Sequence, residues 1–237
     1  MKFCKYSVAN LQKKPKMAKI IFNIKIKRGI YMKVLLVNGS PNENGCTYTA
    51  LSEIKNTLND NDIESEILYL GKSALNDCIA CGKCRETGKC IFNDIVNETV
   101  ARLDEFDGII VGSPVYYAGP TGRVCSFLDR LFYSASAKLQ SKFAASIVSC
   151  RRGGASSSFD RLNKYFTINN MPLVPSQYWN SVHGNTPEEV KKDIEGLQTM
   201  RTLANNMAWL LKSNKIAKEN DISKPDYEDQ IYTNFIR

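Results

Sequence analysis

Four cysteines stand close together in the stretch CIACGKCRETGKC, which spans positions 78–90 of the 237-residue chain. Their spacing is C-x2-C-x2-C-x5-C, and the residues are Cys78, Cys81, Cys84 and Cys90. Thiols only three residues apart cannot link distant segments of a chain. This spacing therefore favours metal binding or redox chemistry over structural disulfides.

Two metal centres compete for four thiols at this spacing, and a loop without metal is the third alternative. A [4Fe–4S] cluster takes four thiolates, and three at two-residue intervals with Cys90 further along can surround it. A structural zinc ion also takes four cysteines, although it usually draws them from two well-separated C-x2-C pairs. The only histidine, His183, lies far along the chain and disfavours mixed zinc sites. We expect a cluster and keep zinc and an empty loop as alternatives.

A loop rich in glycine and neutral donors follows the first apolar run of the chain. In NGSPNENGCTYTAL, residues 38–51, Gly39 and Gly45 allow tight turns, and a helix predicted to begin near Thr47 directs free N–H groups at the loop. The neutral donors are Ser40, Asn42, Asn44, Thr47 and Thr49. Because the stretch lacks the lysine of a P-loop and the third glycine of a dinucleotide fingerprint, it favours a dianionic monophosphate. The alternative is an ordinary strand-to-helix turn with an Asn or Gly cap.

Two further glycine-containing loops follow later apolar runs. In SPVYYAGPTG, residues 113–122, the prolines stiffen the loop, and Tyr116 and Tyr117 supply flat apolar faces that suit a planar heteroaromatic ring. In SCRRGGASSS, residues 149–158, an arginine, Arg151 in our assignment, would offset negative charge on a reduced ring or on a pyridine nucleotide phosphate. A solvated turn is the alternative for this stretch.

Alternating strand and helix patterns place these loops at one edge of a sheet. The predicted elements are strands at 33–38, 65–70, 108–113, 144–149 and 171–179, and helices at 47–60, 93–104, 121–137 and 155–167. A last helix is predicted to begin at Thr186, with Pro187 and Glu189 completing a capping box. The pattern is typical of an α/β protein, a three-layer sandwich around a five-stranded parallel sheet in the order 2-1-3-4-5. Ligands of such sheets bind at the carboxyl ends of the strands, where all the loops above are predicted to lie.

The formal net charge of +8 belongs to the first 31 residues, which hold nine Lys or Arg and no Asp or Glu. Residues 32–237 carry 23 basic and 24 acidic side chains. The body of the chain therefore gives no reason to expect a nucleic-acid partner. We expect residues 1–31 to be a basic extension that is not native or is disordered, with Met32 as the true start. A membrane- or RNA-contacting arm is the alternative for this segment.

The rest of the chain is expected to form one domain and a tail. The domain is predicted at 32–213 with a Cys-rich loop at 76–92, and a polar tail at 214–237. No run of 18 apolar residues occurs in the sequence. We therefore expect a cytoplasmic protein with no membrane partner.

Four motifs in this order resemble those of the flavodoxin-fold FMN reductases and, more closely, of the iron–sulfur flavoproteins. They are GSPNENGCT, the four-cysteine spacing, SPVYYAGPTGRVCSFLDR and SCRRGG, and the resemblance extends from Met32 to about Lys212. It implies a flavodoxin-like fold, bound FMN, and a homodimer or a dimer of dimers. The resemblance assigns the FMN phosphate to Ser40, Asn42, Gly45, Cys46 and Thr47, and the ring to Pro114, Val115, Tyr116, Tyr117, Ala118 and Gly119. An apolar stripe on the helix at 121–137 faces either the core or a second subunit.

The expected function is that of a flavin-dependent oxidoreductase, either an NAD(P)H-dependent FMN reductase or an iron–sulfur flavoprotein. FMN would carry the chemistry, so no catalytic side chain is expected, and the single histidine disfavours hydrolytic triads. With a [4Fe–4S] cluster beside the flavin, the protein would exchange electron pairs for single electrons. The alternative is a non-catalytic electron carrier or redox sensor served by a ferredoxin-type donor. A zinc-stabilised binding module is a third hypothesis.

Overall fold

The centre of the molecule is a parallel sheet whose strands come from the apolar runs of the sequence. The computed structural model describes residues 32–233 and residue 235, so the predicted basic extension at 1–31 lies outside the described residues. The parallel strands are β1 (Lys33–Asn38), β2 (Glu64–Tyr69), β3 (Gly108–Tyr116), β5 (Phe143–Cys150) and β6 (Ser181–His183). A two-residue strand, β4 (Gly119–Pro120), pairs antiparallel with the end of β3.

The strand order confirms the predicted topology. The parallel strands lie in the order β2-β1-β3-β5-β6, which is 2-1-3-4-5 when the short β4 is left out of the numbering. Central strands are apolar on both faces because helices cover both sides of the sheet. Val34 to Val37 of β1 and Ile109 to Val111 of β3 are accordingly at most 2% exposed.

Helices form the two outer layers. They are α1 (Cys46–Asp60), α2 (Lys83–Thr87), α3 (Ile95–Arg102), α4 (Gly122–Leu139), α5 (Ala155–Ile168), α6 (Pro187–Val190) and α7 (Ile194–Glu219). One core lies under α3, α4 and α5, and a second core lies under α1 and α7. Phe127, Leu128 and Leu131 of α4 are fully buried in the first core, as the core-facing alternative for the apolar stripe predicts. The predicted three-layer sandwich is confirmed.

The predicted strand at 171–179 is wrong. This segment makes only an isolated bridge, in which the N–H of Val174 donates to the carbonyl of Ala144 at 2.8 Å. Pro172 has no N–H with which to extend the bridge toward the start of the segment. The Ser146 carbonyl, the next acceptor along β5, instead accepts from the side-chain amide of Asn180 at 3.1 Å, so the ladder stops there. The fifth parallel strand forms instead at Ser181–His183, which pairs with the end of β5.

The start of the last helix also differs from the prediction. Thr186 caps a helix by accepting from the N–H of Glu189 at 3.3 Å, but that helix, α6, ends at Val190. The Glu189 carboxylate accepts from the N–H of Asn185 rather than completing a capping box with Thr186. The long helix α7 has its own cap, because Asp193 accepts from the N–H of Gly196 at 2.9 Å. It runs to Glu219, past the predicted domain boundary at 213.

Among the described helices, none has the length and apolar character needed to cross a membrane.

Candidate functional site

The loops after β1 and β3 are bonded to each other at the carboxyl edge of the sheet. The N–H of Gly39 donates to the carbonyl of Gly112 at 2.9 Å, and the hydroxyl of Thr121 donates to the carbonyl of Gly39 at 2.9 Å. A Cβ at Gly39 would lie 2.8 Å from Cβ of Val124, so only glycine allows this approach. The predicted phosphate loop and the predicted ring loop are therefore held side by side.

The loop from 39 to 45 is ordered by its own polar groups. Asn38 accepts from the N–H of Ser40 at 3.1 Å, and its amide donates to the carbonyl of Glu43 at 2.9 Å. The Ser40 hydroxyl accepts from the N–H of Asn42 at 3.1 Å. The hydroxyl of Tyr69, at the end of β2, fixes the loop from outside by donating to the carbonyl of Pro41 at 2.7 Å. The loop is thus prearranged before any ligand binds.

The N-terminus of α1 has the properties of an anion site. Gly45 is its N-cap, and within the described residues no side chain caps the helix and no acidic residue lies in its first turn. The first N–H groups of a helix lack intrahelical acceptors and carry the positive end of the helix dipole. This end of α1 opens toward the loop that the sequence assigns to a phosphate, and it fits one.

Cys46 and Thr47 can offer their backbone groups to that anion, while their side chains point elsewhere. The Thr47 hydroxyl is 1% exposed and shares a 2.8 Å hydrogen bond with the hydroxyl of Ser149 on β5. The Cys46 thiol lies 3.8 Å from the carbonyl oxygen of Gly184. Burial raises the pKa of the Cys46 thiol, so the thiol is neutral at pH 7 and places no negative charge beside the anion site.

A strained hairpin tip joins β3 to β4. Tyr117 and Ala118 both have positive φ, at 48° and 59°. Two such residues in succession match the two-residue hairpin turn that normally takes Asn-Gly, and each side chain there adds roughly 1–2 kcal/mol of strain. Tyr117 is fully exposed and Tyr116 is half exposed. A strained turn that presents two aromatic rings to solvent is typical of a functional site.

The loop after β5 packs against this hairpin. Gly154 has φ of +84°, and a Cβ there would lie 2.8 Å from Cα of Ala118 and from Cγ1 of Val115. The Ser157 hydroxyl donates to the carbonyl of Ala118 at 2.6 Å. Arg151 is exposed on the same loop, three residues before Gly154. Three loops predicted from sequence therefore form one continuous surface.

The four clustered cysteines line a single cavity. Cys78, Cys81, Cys84 and Cys90 share its wall with Phe92, Arg130 and Tyr133, among others. All four are free thiols. In the described part of the chain no three His, Cys, Asp or Glu side chains are gathered closely enough to hold a single metal ion.

The backbone of the cysteine loop turns at left-handed residues. Ala80, Gly82 and Gly88 have φ of 53°, 71° and 66°, and the two glycines bound the five-residue helix α2. Ala80 is a non-glycine residue in this region, so the backbone of the cysteine loop is strained there, as it is at the hairpin tip. The turns bring thiols from both ends of the loop to one cavity.

Sequence reasoning missed the arginine in the wall of this cavity. Arg130 is 1% exposed, and its Nε donates to Sγ of Cys90 at 3.1 Å. Both of its terminal nitrogens donate to the carboxylate of Asp94 at 2.8 Å. A charged residue inside the apolar stripe of α4 was the available signal, since charges are almost never fully buried without a partner.

Asn97, also missed, closes the other side of the loop. Its side-chain oxygen accepts from the N–H of Cys90 at 2.9 Å, and its amide donates to the carbonyl of Cys90 at 2.9 Å. Cys90 is therefore held through both its backbone and its sulfur.

Helix α4 connects the two candidate sites. It begins at the Thr121 cap beside the ring loop, and Arg130 and Tyr133 lie further along it in the cysteine cavity. The axial rise from Thr121 to Arg130 is about 14 Å. Arg123 also donates to the carbonyls of Lys72, at 2.7 Å, and Ser73, in the segment that leads into the cysteine loop. The two sites are thus built on one helix, upstream of the non-helical backbone at Ala135.

Comparison with known proteins agrees with this construction. The sequence matches the NADPH-dependent FMN reductase family over residues 32–186. An iron–sulfur flavoprotein of Methanocaldococcus jannaschii is 33% identical over 189 residues, which is 76% of this chain and 98% of the relative. An iron–sulfur flavoprotein of Methanosarcina thermophila is 24% identical over 186 residues, which is 76% of this chain and 96% of the relative.

Solved structures show the same fold. A WrbA-like flavodoxin from Agrobacterium tumefaciens superposes with a TM-score of 0.54 at 15% identity, covering 78% of this chain and 99% of the flavodoxin. RosB, solved with 8-demethyl-8-formylriboflavin-5'-phosphate, superposes with a TM-score of 0.60 at 14% identity and covers 87% of this chain and 94% of RosB. By its sequence match, its flavodoxin-like fold and its curated relatives, this chain belongs to the NADPH-dependent FMN reductase family, in which it resembles the iron–sulfur flavoproteins.

Proposed function

We propose that the chain is an FMN-dependent oxidoreductase that takes electrons from NAD(P)H and passes them singly through an iron–sulfur cluster held by its four clustered cysteines. The observation that carries the proposal is the pair of sites joined by α4. One is a three-loop surface with an anion site, and the other is a cavity walled by four free thiols. Bound FMN supplies acceptance of a hydride pair and release of single electrons.

The residues of the three loops would divide the binding of FMN between them. The phosphate would meet the N-terminus of α1 and the loop before it, through Ser40, Asn42, Gly45, Cys46 and Thr47. The ring would lie against the β3–β4 hairpin, through Pro114, Val115, Tyr116, Tyr117, Ala118 and Gly119. Arg151 would offset negative charge on the reduced ring or on the phosphate of a pyridine nucleotide. Backbone N–H groups and neutral hydroxyls bind a phosphate without a lysine, since the helix dipole supplies the positive charge.

The donor set of the cysteine cavity fits a [4Fe–4S] cluster. Four thiolates are its usual protein ligands, and Cys78, Cys81, Cys84 and Cys90 all reach one cavity. The wall adds the guanidinium of Arg130, which remains positively charged and favours bound anionic thiolates. Zinc competes for the same ligands, and metal analysis distinguishes the two.

The test is anaerobic purification followed by cofactor and activity assays. We expect about one FMN, four iron and four sulfide per chain, and steady NADH or NADPH oxidation in the presence of an acceptor. Reduction by dithionite or a ferredoxin, without turnover of either pyridine nucleotide, would assign a carrier or sensor role instead. Zinc in place of iron would support the zinc alternative. A chain that shows no affinity for FMN in a titration would refute the proposal.

We also propose that the chain works as a homodimer or a dimer of dimers. The proposal is supported by large apolar side chains that are exposed to solvent around both sites. Tyr117 is fully exposed, and Ile79, Ile91 and Tyr133 at the cysteine cavity are each more than half exposed. Sedimentation of the FMN-loaded protein tests this, and a monomer at micromolar concentration would contradict it.

A further inference from the structure

The side chain of Arg130 bridges the two ends of the cysteine loop. At the entering end, its Nη1 donates to the carbonyl of Asn76 at 3.2 Å. At the leaving end, its Nη2 donates to the carbonyl of Phe92 at 3.2 Å, and both terminal nitrogens bind Asp94. The remaining donor, Nε, points at Sγ of Cys90. One side chain on α4 thus holds both ends of a loop whose middle carries the other three thiols.

The guanidinium is fixed in this position. It stacks over the ring of Phe92, with 5.1 Å between the guanidinium carbon and the ring centroid. Asp94 is fixed in turn, because its carboxylate also caps α3 by accepting from the N–H of Val96 at 3.0 Å. A bidentate arginine–carboxylate pair of this kind has little freedom to rotate. Its Nε–H therefore stays directed at the sulfur.

The arginine remains charged although it is buried. An arginine side chain keeps its proton in proteins, and two hydrogen bonds of 2.8 Å place the Asp94 carboxylate directly against the guanidinium. Among the described residues that line the cavity, Arg130 is the only arginine, lysine or histidine. A cation beside a metal-ligating sulfur has a defined chemical consequence, because hydrogen bonds to ligand sulfurs and local charge set the reduction potentials of iron–sulfur clusters.

We propose that Arg130 is a positioning residue that fixes Cys90 as a ligand and raises the reduction potential of the cluster bound there. The inference rests on the proposed function, since it requires the four cysteines to hold a cluster. One-electron reduction adds an electron, supplied by reduced FMN or by dithionite, and no proton. The negative charge on the ligated site therefore increases by one unit. The Nε–H donor stabilises that more negative state.

The test compares two charge-changing variants with a matched control. Arg130→Gln removes the cation, and Asp94→Asn removes the opposing anion. Lys138→Gln removes a positive charge eight residues further along α4, where Lys138 is 40% exposed and paired with Asp104. Each protein is prepared anaerobically with its cluster. Iron and sulfide content are measured, and the cluster midpoint potential is titrated by electron paramagnetic resonance.

The two substitutions should move the potential in opposite directions. For Arg130→Gln we expect about a tenfold shift of the one-electron equilibrium toward the oxidised cluster, which is a midpoint lower by about 59 mV. Asp94→Asn should raise the midpoint, and Lys138→Gln should leave it unchanged. If Arg130 had only a structural role, Arg130→Gln and Asp94→Asn would both lose iron, and their midpoint potentials would not shift in opposite directions. Equal potentials in Arg130→Gln, Lys138→Gln and the native protein would overturn the proposal.

A second measurement keeps the test decisive if Arg130→Gln does not retain a cluster. Arg130→Lys keeps the positive charge, although it cannot hold Asp94 through two nitrogens. Because the charge is kept, this variant should retain more iron than Arg130→Gln and should have a midpoint potential closer to native. Iron retention in Arg130→Lys no better than in Arg130→Gln would overturn the charge argument. If the native chain takes up no iron, the cluster half of the proposed function fails, and this inference fails with it. FMN binding by every variant tests the flavin half separately.

Discussion

The hydroxyl of Thr121 donates to the carbonyl oxygen of Gly39, a residue 82 positions away, across 2.9 Å of the buried interior. The hydroxyl oxygen of Thr121 also accepts from the N–H of Val124 at 3.2 Å and so caps α4. One hydroxyl thus joins the two loops that would hold the phosphate and the ring, and also fixes the start of the helix that leads to the cysteine cavity.

Replacing this hydroxyl by a methyl group should weaken both fold and cofactor binding. For Thr121→Val we expect a loss of about 1–2 kcal/mol in the free energy of unfolding, since a helix cap and a buried hydrogen bond are both removed. FMN affinity should fall about tenfold, equivalent to about 1.4 kcal/mol. Urea unfolding and fluorescence titration with FMN measure the two effects.

The control is Thr99→Val on α3, where a 5% exposed threonine donates to the carbonyl of Ile95 within its own helix. It should leave FMN affinity unchanged. If Thr121→Val binds FMN as tightly as the native chain, the bond does not position the loops.

Gly154 provides the second prediction. An alanine at φ of +84° is strained, and its Cβ would meet Cα of Ala118 at 2.8 Å. Gly154→Ala should therefore lower the free energy of unfolding by about 2 kcal/mol, displace the hairpin and weaken FMN binding. Gly153→Ala is a close control, because a Cβ at Gly153 meets nothing within 4 Å. Equal FMN affinity in the two variants would show that the β5 loop does not support the hairpin.

The sequence predicted the parts of this structure that depend on local pattern. The runs at β1, β3 and β5 are apolar on both faces. Only a strand that is covered by helices on both sides needs this pattern, so the runs predict a buried parallel sheet. Because parallel strands end at one edge, the polar loops after β1, β3 and β5 had to converge there. The four thiols also reach one cavity, because residues so closely spaced on a single tightly turned loop lie near one another.

Features that depend on contacts between distant residues were not predictable in this way. The pair of Arg130 and Asp94 joins positions 36 residues apart, and no spacing rule connects them. The fifth strand formed after the prolines because Pro172 removes one ladder donor and the Asn180 amide binds the Ser146 carbonyl, a contact between residues 34 positions apart. The positive φ of Ala118 is similarly hidden, since its residue type rarely adopts it and the turn is contacted by Gly154 and Ser157, which are distant in sequence.

Glu66 gives a prediction about pH. Hydrogen bonds from Arg102 and Lys33 outweigh its partial burial and hold the pKa of Glu66 below its usual value. A lowered pKa in the folded state means that the unfolded chain binds more protons, so the stability from this carboxylate is present at pH 7 and is lost as the pH falls below about 4.5. Because the Glu66, Lys33 and Arg102 side chains are partly exposed and solvent screens their charges, the effect should not exceed about 1 kcal/mol.

The measurement is urea unfolding of the native chain and Glu66→Gln between about pH 7 and pH 3. The difference between them should be largest at pH 7 and should shrink toward pH 3. Glu64→Gln on the same strand removes a carboxylate that is 55% exposed and 3.3 Å from Lys33, so its effect should be smaller. A difference that stays constant with pH would mean that packing, not charge, accounts for the loss.

The last prediction separates the two proposed cofactors. Substituting alanine singly for Cys78, Cys81, Cys84 or Cys90 should lower the iron content of anaerobically prepared protein to less than about half of native, because a cluster depends on all four thiolates. FMN binding should remain within about twofold, since the four cysteines lie outside the loops after β1, β3 and β5.

Cys125→Ala supplies the control. Cys125 packs against the core on α4, and its substitution should change neither iron nor FMN content. If all four variants keep native iron, the metal lies elsewhere. If each loses FMN together with iron, the cysteine loop and the flavin loops form a single site rather than two sites joined by α4.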